Sequence, residues 1–198
     1  MTHWLWASLV ACASAPAVSA DATAHPPELV PPPAAPLLRG QPELVAAARA
    51  YLGRPYRFGG RGAELDCMGL VFLAWQDAGL GSWRRLSVMP TRLVAAAQLG
   101  TPVPGLSPAG SPTLPTELLA PGDVLFFLGR AENPAEPSLA TLDGTPLWVW
   151  HMGLYAGGPD QSFVVGDHYA GRVVEPSLPA YLAAHREYVG VYAVRPEG

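Results

Sequence analysis

The sequence predicts a single α+β domain with a mostly antiparallel sheet. Apolar residues recur at helical spacing between Pro42 and Leu99, and runs of strand length follow from Val124 to Val194. Turn residues, not long helices, separate those runs, so neighbouring strands are expected to reverse direction. A chain of 198 residues suits one domain with a real core better than two.

The folded part is expected to start near Gln41. Pro42-Glu43 opens a helix whose Leu44, Val45, Ala48, Tyr51 and Leu52 share one face, and Gly53 ends it. A glycine-rich loop spans Arg54 to Leu65. Asp66 then has the chemistry of an N-cap for a second helix carrying Cys67, Leu70, Val71, Ala74 and Trp75 up to Gly79. A third helix is expected from Pro90 to Leu99, followed by a proline-rich loop to Pro115. Pro121-Gly122-Asp123 reads as a turn before a buried strand, Val124 to Leu128. Residues 129 to 147 read as a long loop. Val149 to Ala156 and Ser162 to Asp167 read as a hairpin around Gly157-Gly158-Pro159-Asp160. A strand at Arg172 to Glu175, a helix at Pro179 to Arg186 and a strand at Val189 to Val194 complete the pattern.

Composition excludes several classes. With 49% hydrophobic and 14% charged residues, the chain is too apolar for disorder and too polar for a multi-span membrane protein. All twelve basic residues are arginine, the net charge is -4, and no basic stripe is present, so a nucleic-acid partner is not expected. No His/Cys/Asp cluster stands at ligand spacing, so neither a metal nor another cofactor is implied.

The first twenty residues read as an export signal. Trp4 to Ala15 is a short apolar run, and Val18-Ser19-Ala20 supplies a small-x-small cleavage pattern. A competing reading is a lipoprotein leader: Leu9-Val10-Ala11-Cys12 fits a lipobox, with Cys12 as the lipid anchor. Either way the chain is expected in the periplasm, the cell envelope or outside the cell. Residues 21 to 40, with Pro26-Pro27 and Pro31-Pro32-Pro33, read as a semi-rigid linker to a domain at 41–198. Once Cys12 is removed or lipidated, Cys67 is the only thiol left, and it has no partner for an intramolecular disulfide.

That thiol is well placed for chemistry. A helix N-terminus directs unpaired amides and a positive dipole end at it, which favours thiolate and can stabilise an oxyanion. The alternative is a small buried core cysteine. A nucleophilic thiol needs a base, and His151, His168 and His185 lie downstream. His151 shares a strand face with Gly153 and Tyr155. If Gly157 pairs with Ser162, counting back sets His168 opposite His151; one residue of slip brings Asp167 or Tyr169 there instead.

Three blocks carry a resemblance. Tyr51 to Gly60 followed by Leu65-Asp66-Cys67-Met68-Gly69-Leu70-Val71, then Pro121 to Phe127, then His151-Met152-Gly153-Leu154-Tyr155-Ala156-Gly157, resemble the NlpC family of cell-wall cysteine peptidases. The resemblance spans roughly residues 41 to 195. It implies a papain-like fold and hydrolysis of amide bonds in peptidoglycan stem peptides, typically between D-glutamate and a diamino acid. It implies Cys67 as nucleophile, His151 as base and His168 as the third polar residue, with Val165 nearer the usual spacing. It also implies Tyr56 and Asp66 as substrate-binding residues. A monomer acting on stem peptides is the expected form. Met68 stands where serine is common; in members that demand a free N-terminal L-alanine, that serine and the aspartate before the cysteine hold the amine. Two rival readings remain: an amidase or acyltransferase on the same fold, and a degenerate wall-binding module.

Overall fold

A computed structural model describes residues 40–106, 109–110 and 114–197. The proposed export signal, the Cys12 lipobox and the linker up to residue 39 lie outside the described residues. Among the described residues, no helix is long and apolar enough to cross a membrane.

Among the described residues, four α-helices and eight strands follow in order: α1 (Pro42–Arg49), α2 (Cys67–Asp77), α3 (Pro90–Ala95), β1 (Thr101–Pro102), β2 (Ala109–Gly110), β3 (Val124–Gly129), β4 (Ala140–Leu142), β5 (Thr145–Gly157), β6 (Ser162–Asp167), β7 (Arg172–Val174), α4 (Leu178–Ala184) and β8 (Gly190–Arg195). The sheet order is β1-β8-β3-β5-β6-β7, with β2 on β8 and β4 on β5. Each pair is antiparallel. The α+β class expected from the sequence is the class observed.

The sheet is buried on both faces. Val124, Phe126, Leu128, Met152 and Leu154 face α1 and α2, and Leu125, Phe127, Tyr155, Phe163 and Val165 face α4. Hence β3 is a continuous apolar run, not an alternating one. The start of β3 is anchored by Asp123, fully buried, whose carboxylate accepts from Arg195 Nε and Nη2 at 2.8 and 2.7 Å and from the Ala120 amide.

The expectation for residues 129 to 147 needs correction. It is not a loop throughout: β4 and the first residues of β5 form a hairpin there. The connecting Asp143 and Gly144 both have positive φ, at 50° and 75°, the conformation that an Asp-Gly hairpin turn adopts. The loop's Glu136 fastens it to α3 by accepting from the Thr91 hydroxyl and amide. The third helix is also shorter than expected. It stops at Ala95, and Ala97 enters positive φ before Leu99.

Candidate active site

The site starts from the N-terminus of α2. Asp66 is the N-cap: its Oδ1 accepts from the Gly69 amide at 2.6 Å. The same oxygen accepts from Arg61 Nη1 at 2.5 Å, and Oδ2 accepts from the Gly59 amide at 2.9 Å. One carboxylate therefore ties the glycine-rich loop to the helix that presents Cys67. Arg61 also donates to the Gly60 carbonyl and lies over the Phe72 ring. The sequence offers no local signal for Arg61, because its role depends on how the loop folds back.

Cys67 is the first residue of α2 and is partly buried. Burial, then the Asp66 carboxylate, push its pKa up to about 12, against the amides of Met152 and Met68 and the Arg61 charge. The Met152 amide belongs to the residue after His151, so α2 docks its N-terminus beside His151 on β5. Gly166 on β6 makes this docking close. A Cβ there would stand 2.8 Å from the Asp66 carbonyl oxygen and 3.2 Å from the Cys67 nitrogen.

His151 lies on β5 opposite Phe127. Next to it the ladder slips: Leu128 pairs with Val149, so Trp150 is an extra residue and turns outward. His151 itself is 2% exposed. Its ring is nearly parallel to those of Tyr188 and Tyr181 at 5.9 and 6.3 Å, and 5.9 Å from that of Phe127. Its Nε2 finds no hydrogen-bond partner among the described residues. Burial, followed by His168 and His185, push its pKa down to about 3. Burial therefore favours the uncharged form of both side chains, thiol at Cys67 and neutral imidazole at His151.

The third position departs from the counting made on the sequence. Gly157 does pair with Ser162, but Tyr155 pairs with Phe163, so Ala156 is bulged. Continuing that register sets Asp167, not His168, opposite His151. His168 nevertheless approaches from beyond the strand end, its ring perpendicular to that of His151 at 6.0 Å. Asp167 is buried and accepts from the Tyr169 amide at 2.9 Å.

Tyr56 joins the same group, with its ring 6.0 Å from that of His168. Burial, then Cys67 and Asp66, push its hydroxyl up to about 12. The tyrosines Tyr181 and Tyr188 come from α4 and the turn after it. Neither is assigned a role from the sequence, since only packing of α4 on the sheet brings them to His151. Among the described residues, no group of three or more His, Cys, Asp or Glu side chains is arranged to hold a metal ion.

No protein-family model matches the chain, and no curated protein matches it. Solved structures do. An N-acetylmuramoyl-L-alanine amidase from Bacteroides uniformis is 13% identical over 80% of this chain and 99% of its own, with a TM-score of 0.59. NlpC1 from Trichomonas vaginalis is 18% identical over 79% of this chain and 44% of its own, with a TM-score of 0.51. The domain thus has the α+β fold of NlpC-type proteins, as the three sequence blocks implied.

Proposed function

We propose that this chain is an exported cysteine hydrolase of the bacterial cell wall, cutting an amide bond of peptidoglycan stem peptides through a Cys67 thioester. The observation that carries the reading is the docking of Cys67, at the start of α2, against the Met152 amide beside His151. Fold likeness to an N-acetylmuramoyl-L-alanine amidase supports the substrate class.

The chemistry follows from the resting state. The Cys67 proton passes to His151 as Sγ attacks the substrate carbonyl. Charge then appears on the carbonyl oxygen, near the amides that open α2. His151 returns the proton to the leaving nitrogen, the C–N bond breaks, and a thioester remains. Water, deprotonated by His151, cleaves the thioester and regenerates the thiol. His168, or Asp167 by the register, orients His151 in this reading, and Tyr56 lines the acyl side. Asp66 takes a positioning role: its oxygens already serve Gly59, Arg61 and Gly69. A substrate ammonium there meets a carboxylate already paired with a guanidinium, and Met68 offers no strong hydrogen bond.

Two bonds fit. The sequence blocks favour the D-glutamyl–diamino acid bond. The likeness to an amidase favours the bond between the lactyl group and L-alanine. Muropeptide mass spectrometry after digestion with the wild-type chain separates them by product mass. Cys67→Ala is expected to abolish all release. Intact muropeptides with retained binding to sacculi would overturn the hydrolase reading in favour of a wall-binding module.

A further inference from the structure

Beside the catalytic group, on the histidine side, lies a cleft of about 490 Å³ lined by Arg130, Trp150, His168, Tyr169, Arg186 and Tyr188. It is built from four places in the sequence. Arg130 follows the last residue of β3, Trp150 is the bulged residue of β5, His168 and Tyr169 follow β6, and Arg186 and Tyr188 follow α4. The walls are set. Trp150 Nε1 donates to the Ala131 carbonyl at 2.9 Å, and Tyr169 stacks on His185 at 4.4 Å.

The charges in the cleft are unequal. Glu187, its one carboxylate, already accepts from the Tyr169 hydroxyl at 2.7 Å and lies 3.4 Å from His185 Nδ1. Arg130 and Arg186 are exposed, and neither makes an ion pair among the described residues. Two arginines thus line one cleft whose one lining carboxylate already serves Tyr169 and His185. A guanidinium takes a carboxylate by two parallel N–H donors, and aromatic walls take an aliphatic stem.

The position says which part of a substrate arrives here. His168 and Tyr188 line the cleft, and both rings lie about 6 Å from the His151 ring. His151 must reach the leaving nitrogen to protonate it, so the amine half of the substrate lies on this side. Resting on the hydrolase reading above, we propose that the cleft is the subsite for the leaving amine fragment. Arg130 and Arg186 select a fragment that bears a free carboxylate.

The test uses two synthetic peptides, identical except that the leaving residue ends in a carboxylate or a carboxamide. The full wild-type chain is expected to favour the carboxylate about tenfold in kcat/KM, mainly through KM, as about one exposed charge-assisted contact provides. In the double variant Arg130→Gln, Arg186→Gln the ratio falls towards one; lysine at both positions retains part of it. A wild-type ratio near one, or a ratio the double variant leaves intact, overturns the proposal. If wild type cleaves neither peptide, the hydrolase reading fails, and the subsite is tested separately by calorimetry on Cys67→Ala. The isolated amine fragment should then bind more tightly as the carboxylate than as the carboxamide; equal affinities, or no binding of either, overturn it.

Discussion

Replacing Asp66 with alanine should destabilise the domain by about 3 kcal/mol, through two separable losses. The helix cap on Gly69 contributes about 1 kcal/mol. The larger part is Arg61. Its side chain is 21% exposed and Asp66 only 8%, so removing the carboxylate strands a mostly buried guanidinium. Breaking a buried pair costs about 3–5 kcal/mol, and Arg61's partial exposure and its bond to the Gly60 carbonyl place this case below that range. The companion variant Asp66→Ala, Arg61→Ala removes the stranded charge and should recover about 1–2 kcal/mol relative to Asp66→Ala. Urea unfolding of the four corners of this cycle measures both numbers. A loss under about 1 kcal/mol for Asp66→Ala, or strict additivity in the cycle, would refute the argument that one carboxylate holds the loop to the helix.

Alkylation of Cys67 by iodoacetamide should rise about tenfold per pH unit between pH 6 and 9, since burial pushes the thiol up to about 12; a plateau from acid to neutral pH would instead reveal a preformed thiolate–imidazolium pair. Acid should destabilise the fold through His151. Its pKa falls from 6.5 to about 3 on folding, so the unfolded chain binds the extra proton between those values. Stability is complete above about pH 6.5 and declines by up to about 1.4 kcal/mol per unit below it; His151→Phe should flatten that slope in thermal melts taken from pH 7 to 4, and an unchanged slope sinks the assignment. Gly166→Ala should cost about 1–3 kcal/mol and slow Cys67 alkylation, because its methyl meets the Asp66 and Cys67 backbone. Wild-type behaviour in both measurements would show that α2 is not held at this distance.

Much of the fold was legible because its signals are local. Cys67 at a helix start, the Asp66 cap and the hairpin at residues 157–160 each depend on residues close in sequence. The β4–β5 hairpin was equally local, since Asp143-Gly144 is a turn signal, but proline-rich surroundings masked it. The third residue was not legible. A bulge at Ala156 shifts the pairing by one, and a bulge forms to satisfy packing on both faces of a sheet, which no count along one strand contains.

The sequence alone determined the place of Cys67 at a helix N-terminus, the order of three helices before the long strands, and the three blocks that imply an NlpC-type fold. These are properties of spacing. Tertiary structure decided what surrounds Cys67 and His151: the Arg61 partner of Asp66, the Tyr181 and Tyr188 rings beside His151, and the two arginines of the adjoining cleft. Tyr181 and Tyr188 stand 30 and 37 positions from His151, and only packing of α4 on the sheet brings them within reach. Charge and dielectric at Cys67 and His151 are therefore set by packing, which is why the sequence points to these two side chains but not to their surroundings.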